Sequence, residues 1–355
     1  MRRRLASAAG RARLTAMNPP ESARTWTTPA LLALGRGYQA AAVLLAAAEL
    51  DLFTALAAEP LTATEVAARR ACDVRATAML LDALAALGLM WKNGDRYAVP
   101  DSLVDALATD GRHSLLAITR HQANCLRRWA QLASVVKTGR PAEPAPSVRG
   151  EEDDEASFIE GMHNLAAPQA DSVIQGLQPL EFTHVLDVGG ATGTWTIAFL
   201  RACPSARATL FDRPSVIPMA QRRLGAAGLA DRVRCVGGDF LSDPLPAGAD
   251  LAWVSAIVHQ NSRVQNRALF GRALAALVPG GRIAIRDLVM DPGRTQPTAG
   301  ALFAINMLVA TEGGGTFTLA ELREDLETAG FVGAELAGHD EGMNSLVVAR
   351  KPGAV

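Results

Sequence analysis

The side chains best able to do chemistry gather in the C-terminal half of the chain. His259 stands in SAIVHQNSRVQN (255–266), where an apolar run that begins near Leu251 gives way to amides, Ser and Arg. Imidazole moves protons near neutral pH, and a carboxylate behind it fixes its tautomer and balances its charge. Asp287 ends the next apolar run, RIAIRD (282–287), and is the natural candidate for that partner. Taken alone, His259 reads equally as a general base or as a polar cap on a strand-to-helix turn.

Three further acids close earlier apolar runs. In VLDVGGATGTW (185–195), Asp187 precedes Gly189, Gly190 and Gly193. Glycine lets a ligand approach the backbone closely, and a helix that follows offers free N–H groups. The nicotinamide pattern GxGxxG fits no frame here, and the motif present is DxGxxxG. Asp212 ends RATLFD (207–212), placed to accept both hydroxyls of a ribose. Asp239 and Phe240 follow VRCVGG (233–238), a carboxylate for an adenine amino group and a ring to cover the base. One carboxylate for an ammonium, one for a ribose and one for an adenine meet the demand of S-adenosylmethionine. Ordinary strand-end caps are the structural alternative.

These acids need a scaffold that lines up strand ends. From residue 183 short apolar runs, including LAWVSA (251–256), alternate with helical stretches near 193–202, 214–228 and 262–277. Such alternation predicts a mostly parallel sheet with helices on both faces, and in such folds ligands bind at the carboxyl ends of the strands. Residues 26–138 read differently, as helices with Leu, Ala and Val at three- and four-residue spacings. Thr62 and Glu65 form a capping-box pair, Gly88 stops a helix, and Asn93-Gly94 is a hairpin turn. That is the outline of a winged helix. Its second helix, RATAMLLDALAALG (75–88), carries only Arg75 and Asp82 as charges, too few to read a DNA groove, so packing or dimerisation is the expected role. Between the two parts, residues 139–157, with Pro141, Pro144, Pro146 and an acidic run, read as an exposed linker. The catalytic part then spans 158–355.

Composition narrows the field. The chain has 355 residues, 49% of them hydrophobic, and a net charge of −1, which suits two packed domains and gives no general attraction to nucleic acid or anionic membrane. Cys72, Cys125, Cys203 and Cys235 are far apart with no metal-ligand spacing, so reduced thiols in a cytoplasm are expected and no metal site. The apolar stretch AAAVLLAAAEL (40–50) is too short to span a bilayer. Residues 1–25, basic but without a signal-peptide core, are expected to be a disordered tail in which Met17 is an alternative start.

LDVGGATG, FDRPSV, GGDFLSDPLP, the His259 segment, VPGGRIAIRDLVMD and NMLVATEGGGTFTLAELREDLETAGF occur in that order. Together they resemble the S-adenosylmethionine-dependent small-molecule O-methyltransferases of the plant caffeate/acetylserotonin type and their bacterial natural-product relatives. The resemblance covers about residues 30–350. It implies a class I Rossmann-like methyltransferase domain and an N-terminal winged-helix dimerisation domain, hence a homodimer acting on an aromatic or polyketide-like hydroxyl. By the same resemblance the cofactor, released as S-adenosylhomocysteine, lies along Asp187 to Gly193, on Asp212 and Arg213, at Asp239 and Phe240, and near Ser255. His259 is then the base and Asp287 its partner, while Trp129, Phe158, Met162, Asn306 and Met307 line the acceptor pocket. Glu312-Gly313-Gly314-Gly315 reads as a flexible loop without chemistry. The chain departs from the family where Gln260 and Asn261 replace the usual Asp and Trp after the histidine, and where Thr316-Phe317-Thr318 replaces Glu-Arg-Thr. Those departures leave C-methylation, or a hydroxylase or decarboxylase that retains the cofactor, as alternatives. A winged-helix regulator sensing S-adenosylmethionine is the alternative from another class.

Overall fold

A computed structural model describes residues 25–353 apart from 112 and 178–180. The expected tail over 1–25 and the alternative start at Met17 lie outside the described residues, save Thr25. The chain forms two units, Met1–Val43 and Leu44–Val355. The described part of the first holds α1 (Thr28–Arg36) and the start of α2 (Tyr38–Glu49), with the Thr27 hydroxyl accepting from the Ala30 N–H at 3.3 Å. Leu31, Leu32, Leu34 and Tyr38 stay exposed. Helices α1 and α2 together make a 22-residue span long and apolar enough to cross a membrane by length and composition alone. That exceeds the stretch 40–50 singled out in the sequence, because only Gly37 separates two apolar helices.

The second unit opens with α3 (Leu52–Ala55), β1 (Leu61–Thr62), α4 (Ala63–Arg70), α5 (Val74–Ala86), β2 (Trp91–Asn93) and β3 (Arg96–Ala98). The capping box forms as expected: the Thr62 N–H donates to Glu65 Oε2 at 2.7 Å, and the Glu65 N–H to Thr62 Oγ1 at 3.2 Å. Gly94 takes a left-handed φ of 61° in the hairpin turn, and β1 pairs antiparallel with β3. Then come α6 (Asp101–Leu107), α7 (Leu116–Trp129), α8 (Leu132–Thr138) and the long α9 (Glu151–Gly176).

Helix α9 corrects the linker assignment, because it starts inside the segment expected to be irregular up to residue 157. Glu151, Glu152, Asp153 and Asp154 all fall in its first turn, where the helix dipole favours negative charge. Asp154 also anchors the approach, accepting from the N–H and hydroxyl of Ser147 at 2.9 and 2.6 Å. The acidic run is therefore a helix start.

The catalytic scaffold follows as β4 (His184–Val188), α10 (Thr194–Ala202), β5 (Arg207–Asp212), α11 (Ile217–Ala226), β6 (Val233–Gly237), β7 (Ala249–Ser255), α12 (Arg263–Ala276), β8 (Leu277–Asp287), β9 (Val289–Met290), α13 (Thr298–Ala310), β10 (Phe317–Thr318), α14 (Leu319–Thr328), β11 (Val332–Gly338) and β12 (Ser345–Arg350). Among the described residues, the main sheet has the order β11-β12-β8-β7-β4-β5-β6. Its strands are parallel except for β12, which runs antiparallel to both neighbours. One face packs Trp195, Phe199 and Trp253 under α9 and α10, and the other packs Leu269, Phe270 and Leu326 of α12 and α14. The chain runs outward from β4 through β5 and β6, then returns to β7 on the other side of β4. The switch point therefore lies between β4 and β7, where the open crevice of such a sheet is expected.

Candidate active site

His259 sits in a single 3-10 turn (Val258–Gln260) directly after β7, on the switch-point side of the sheet. Its Nδ1 lies 2.8 and 2.9 Å from the two oxygens of Asp287, which ends β8 next door. Both side chains are buried, at 6% and 1% exposure, so solvent screens the pair little. Asp287 is held in turn by the Leu288 N–H at 2.8 Å. A carboxylate at Nδ1 selects the tautomer with the proton there, which leaves Nε2 as the basic nitrogen. Nε2 has no hydrogen-bond partner among the described residues. The Phe303 ring meets the imidazole edge-on, with centroids 4.8 Å apart.

The family departures beside His259 have structural work. Gln260 donates from Nε2 to the Ala256 carbonyl at 3.0 Å. Asn261 donates to Asn266, and Asn266 donates to the Val258 carbonyl at 2.9 Å, so two buried amides hold the turn. The triple-glycine segment is packed against it, which corrects the expectation of a flexible loop. The Gly315 N–H donates to the His259 carbonyl at 2.9 Å, and a Cβ on Gly314 would stand 2.5 Å from that same oxygen. Thr316 is buried, and its carbonyl accepts from Arg294 at 3.0 Å.

The glycine turn between β4 and α10 has the shape of a ligand cradle. Gly189 and Gly193 adopt φ of 68° and 85°, conformations that disfavour any side chain. A Cβ would meet Ile257 Cδ1 at 2.5 Å from Gly189, and Leu210 Cγ at 2.8 Å from Gly190. The turn is thus closed behind by side chains, and its backbone is the surface left to a ligand. Thr192, within it, is buried with its hydroxyl unpartnered among the described residues. Asp212 accepts from the Ala191 and Arg213 N–H groups, each at 2.7 Å, which ties the end of β5 to the turn. Burial raises its carboxyl above the usual range. Asp187 lies beneath the turn, 1% exposed, and accepts from the Thr196 hydroxyl at 2.6 Å. Burial pushes it up to about 7, with Asp212 nearby adding to the rise and Thr196 opposing it. A buried acid this poorly solvated gains from a cation. Asp239 is exposed beyond β6, with Oδ1 taken by the Leu241 N–H, and the half-buried Phe240 ring comes within 3.7 Å of the Gly189 Cβ position. Arg213 is exposed and paired with Glu155 at 3.0 Å. Ser255 ends β7, its hydroxyl accepting from Arg286 at 3.1 Å. Closed turn, orphaned hydroxyl and strand-end acids fit a cationic nucleoside such as S-adenosylmethionine.

Helices α7, α9 and α13 carry the remaining residues. The Trp129 indole N–H donates to Asn306 Oδ1 at 2.9 Å, which answers the need of a polar side chain inside an apolar helix. Asn306 lies one turn after Phe303 on α13, followed by the buried Met307. Phe158 and Met162 lie one turn apart on α9, and Phe158 packs on His121 at 5.0 Å. His121 and His163 are each held down to about 4 by burial, and His163 bridges Thr194 and Arg223. Sequence reasoning missed Phe303, Thr192, Thr196 and Arg286. The two threonines carried a signal, since Thr192 lies within the glycine motif and Thr196 three residues after it, but Phe303 and Arg286 are singled out only by the fold.

Comparison with known proteins identifies the family. A family model described as an O-methyltransferase domain matches residues 129–332, and one described as an O-methyltransferase dimerisation domain matches residues 32–101. The chain is 32% identical over 337 residues to the tetracenomycin polyketide synthesis 8-O-methyl transferase TcmO of Streptomyces glaucescens, covering 91% of this chain and 96% of the relative. It is 32% identical over 311 residues to the 3-hydroxy-5-methyl-1-naphthoate 3-O-methyltransferase of Streptomyces sahachiroi, covering 85% and 89%. Among solved structures, human N-acetylserotonin methyltransferase in complex with SAM superposes with a TM-score of 0.77 at 26% identity, over 94% of this chain and 100% of that one.

Proposed function

The chain belongs to the S-adenosylmethionine-dependent O-methyltransferase family, and from that premise we propose that His259 is the general base for methylation of a phenolic or polyketide-like hydroxyl. The observation that carries this reading is the buried contact of Nδ1 with both oxygens of Asp287, which leaves Nε2 as the basic nitrogen. S-adenosylmethionine supplies a methyl group already activated on a sulfonium. The chain's own task is to align the acceptor and take its proton, a contribution of about 10²- to 10⁴-fold. Nε2 takes the hydroxyl proton as the oxygen–methyl bond forms, and Asp287 balances the imidazolium. Once the methyl had passed from the sulfonium to the oxygen, leaving S-adenosylhomocysteine, Nε2 would return its proton to solvent.

Asp187 answers the cofactor's positive end, Asp212 with Arg213 the ribose, and Asp239 with Phe240 the adenine, while Gly189, Gly190 and Gly193 keep the backbone close. On the acceptor side the Trp129 donor fixes the Asn306 amide with its oxygen occupied, so Nδ2 is the group offered to substrate. The acceptor then carries an oxygen beside the reacting hydroxyl that can accept a hydrogen bond. Phe158, Met162, Phe303 and Met307 give a flat aromatic system its apolar walls. The names of the two Streptomyces relatives, a tetracenomycin polyketide enzyme and a naphthoate enzyme, agree with that acceptor class. The N-terminal segment to residue 138 is the dimerisation part, and a second copy covers the apolar face around Leu31, Leu34 and Tyr38. The four cysteines are free thiols, in keeping with a cytoplasmic enzyme.

The test combines calorimetry with S-adenosylhomocysteine and transfer of labelled methyl to a panel of hydroxynaphthoates and polyketide phenols. The expected result is micromolar cofactor binding, oxygen as the methylated atom, and loss of turnover in His259→Ala with binding retained. Methyl on carbon, or turnover in the variant within threefold of wild type, would end the assignment.

A further inference from the structure

Arg286 is the one cation in the buried class among the described residues, at 4% exposure. It sits one residue before Asp287 on β8 and points to the opposite face of the sheet. Its guanidinium lies over the Trp195 ring, 4.4 Å from the centroid. Nε donates to Asn344 Oδ1 at 2.9 Å and Nη1 donates to Ser255 at 3.1 Å. All three partners are neutral. The acids that act on it electrostatically, Asp287 and Asp340, are committed elsewhere: Asp287 to His259 and Leu288, and Asp340 to the N–H groups of Gly342 and Asn344. No carboxylate forms an ion pair with Arg286 among the described residues. Burial pulls its pKa down to about 10, so it stays charged at neutral pH. A desolvated charge without a counter-ion is costly, which makes an anionic ligand the expected complement.

The sheet order says which anion that is. With adenine and ribose read at the ends of β6 and β5, and the glycine turn after β4, the cofactor would run along the sheet from β6 toward β7. The next positions on that line are Ser255, which ends β7, and Arg286, paired with it in register across β8. Trp195, under the guanidinium, is the second residue of the helix that starts immediately after Gly193. Arg286 therefore stands where the amino-acid end of the cofactor would fall, with Nη2 free of any hydrogen bond among the described residues. We propose that Arg286 binds the carboxylate of the cofactor's methionine portion, an inference that rests on the S-adenosylmethionine reading above. Asp187 and Arg286 then divide the zwitterion, the acid serving its ammonium and the guanidinium its carboxylate.

Calorimetry with S-adenosylhomocysteine and with its decarboxylated counterpart tests this without any acceptor. Wild type is expected to prefer the carboxylate-bearing ligand by about 30-fold or more, the scale for a buried, hydrogen-bonded charge pair. Arg286→Met should lose that margin for S-adenosylhomocysteine and change the decarboxylated ligand by less than about threefold. Arg286→Lys keeps the charge without the planar fork and should fall between, and it carries the test if the methionine variant does not fold. Equal weakening of both ligands in either folded variant, or no weakening, would overturn the proposal in favour of a structural clamp between Asn344 and Ser255. Wild type that bound the two ligands equally would overturn it too. Wild type that bound neither would instead remove the cofactor reading on which it rests.

Discussion

Replacing Asp287 by Asn keeps shape and removes charge at the position on which the proposed chemistry depends most. The Leu288 N–H already donates to Oδ1 at 2.8 Å, so the amide oxygen of the variant stays there and its NH₂ takes the other site, 2.9 Å from Nδ1. A donor at that site competes with the amide oxygen, which stays 2.8 Å from Nδ1, so the tautomer with its proton on Nε2 gains ground and the imidazolium loses its counter-charge. A hydrogen bond to a charged partner contributes about 1.5–3 kcal/mol net. Coulomb attraction at this separation and an effective dielectric of 20 is about 6 kcal/mol, an upper bound for an imidazolium whose charge is spread over the ring. Taking roughly 3–4 kcal/mol as the lost stabilisation, at about 1.4 kcal/mol per tenfold, kcat should fall about 10²- to 10³-fold. Single-turnover transfer of labelled methyl, with cofactor saturating, reads this loss directly. S-adenosylhomocysteine affinity should stay within about twofold, because Asp287 faces the histidine and not the glycine turn. The buried position makes the neutral side chain easy to accommodate, so thermal stability should not drop. A rate within about threefold of wild type would refute the base assignment and leave His259 as the cap of its turn.

Trp129→Phe removes the donor that orients Asn306; losing one hydrogen bond of about 1 kcal/mol should raise the acceptor KM about fivefold with kcat little changed, measured by steady-state transfer. Because burial holds Asp187 at about 7, a cationic cofactor should bind with release of a proton near neutral pH and gain affinity as pH rises through 7; binding enthalpies measured in phosphate and Tris should differ accordingly, and Asp187→Asn should abolish the difference. His163 is held at about 4 against an ordinary 6.5, so its neutral form gives stability that is fully present above pH 6.5 and lost as pH falls toward 4. The Tm of His163→Gln should therefore fall less than that of wild type over that window in scanning calorimetry. Gly190→Ala drives a Cβ to within 2.8 Å of Leu210 and 2.9 Å of Asp187, and it should weaken cofactor binding at least tenfold by calorimetry while the chain stays folded.

The strands were legible because their punctuation is chemical. Each parallel run ends in an Asp, Gly or Ser that cannot continue an apolar strand, and β4 through β7 follow those marks to within a residue or two. The pairing of His259 with Asp287 was legible for the same reason, since both close strands that a βαβ unit places side by side. What the sequence hid was whatever depends on packing rather than punctuation. The acidic run 151–155 looks like linker by composition, yet its position ahead of an apolar helix makes it a dipole-stabilised start. Trp129 and Asn306 each carry a plausible polar group, but their bond joins helices 177 positions apart, and no local spacing signals it. Arg286 reads as an interruption in an apolar strand, and only the alternation of faces along β8 shows that its side chain leaves Asp287 and turns to Trp195.

The residues that depart from the family bear on how the base is supported. A second acid beside His259 would share the imidazolium charge; Gln260 and Thr316 cannot, and the structure turns Gln260 toward the Ala256 carbonyl instead. The amides of Asn261 and Asn266 fix the turn from one side, and the glycines at 314 and 315 fix it from the other through the His259 carbonyl. Position is thus over-determined while charge rests on one carboxylate. A base supported in this way is best suited to acceptors whose own acidity lightens its work, and a phenol, far more acidic than an aliphatic alcohol, is such an acceptor. The proton then moves over a smaller gap in acidity, and rigid placement supplies what a second carboxylate would otherwise contribute. Asn306, with its amide fixed by Trp129, is the group that would recognise an oxygen beside the reacting hydroxyl, so the loss of acids around His259 and the polar anchor on α13 point to the same class of substrate.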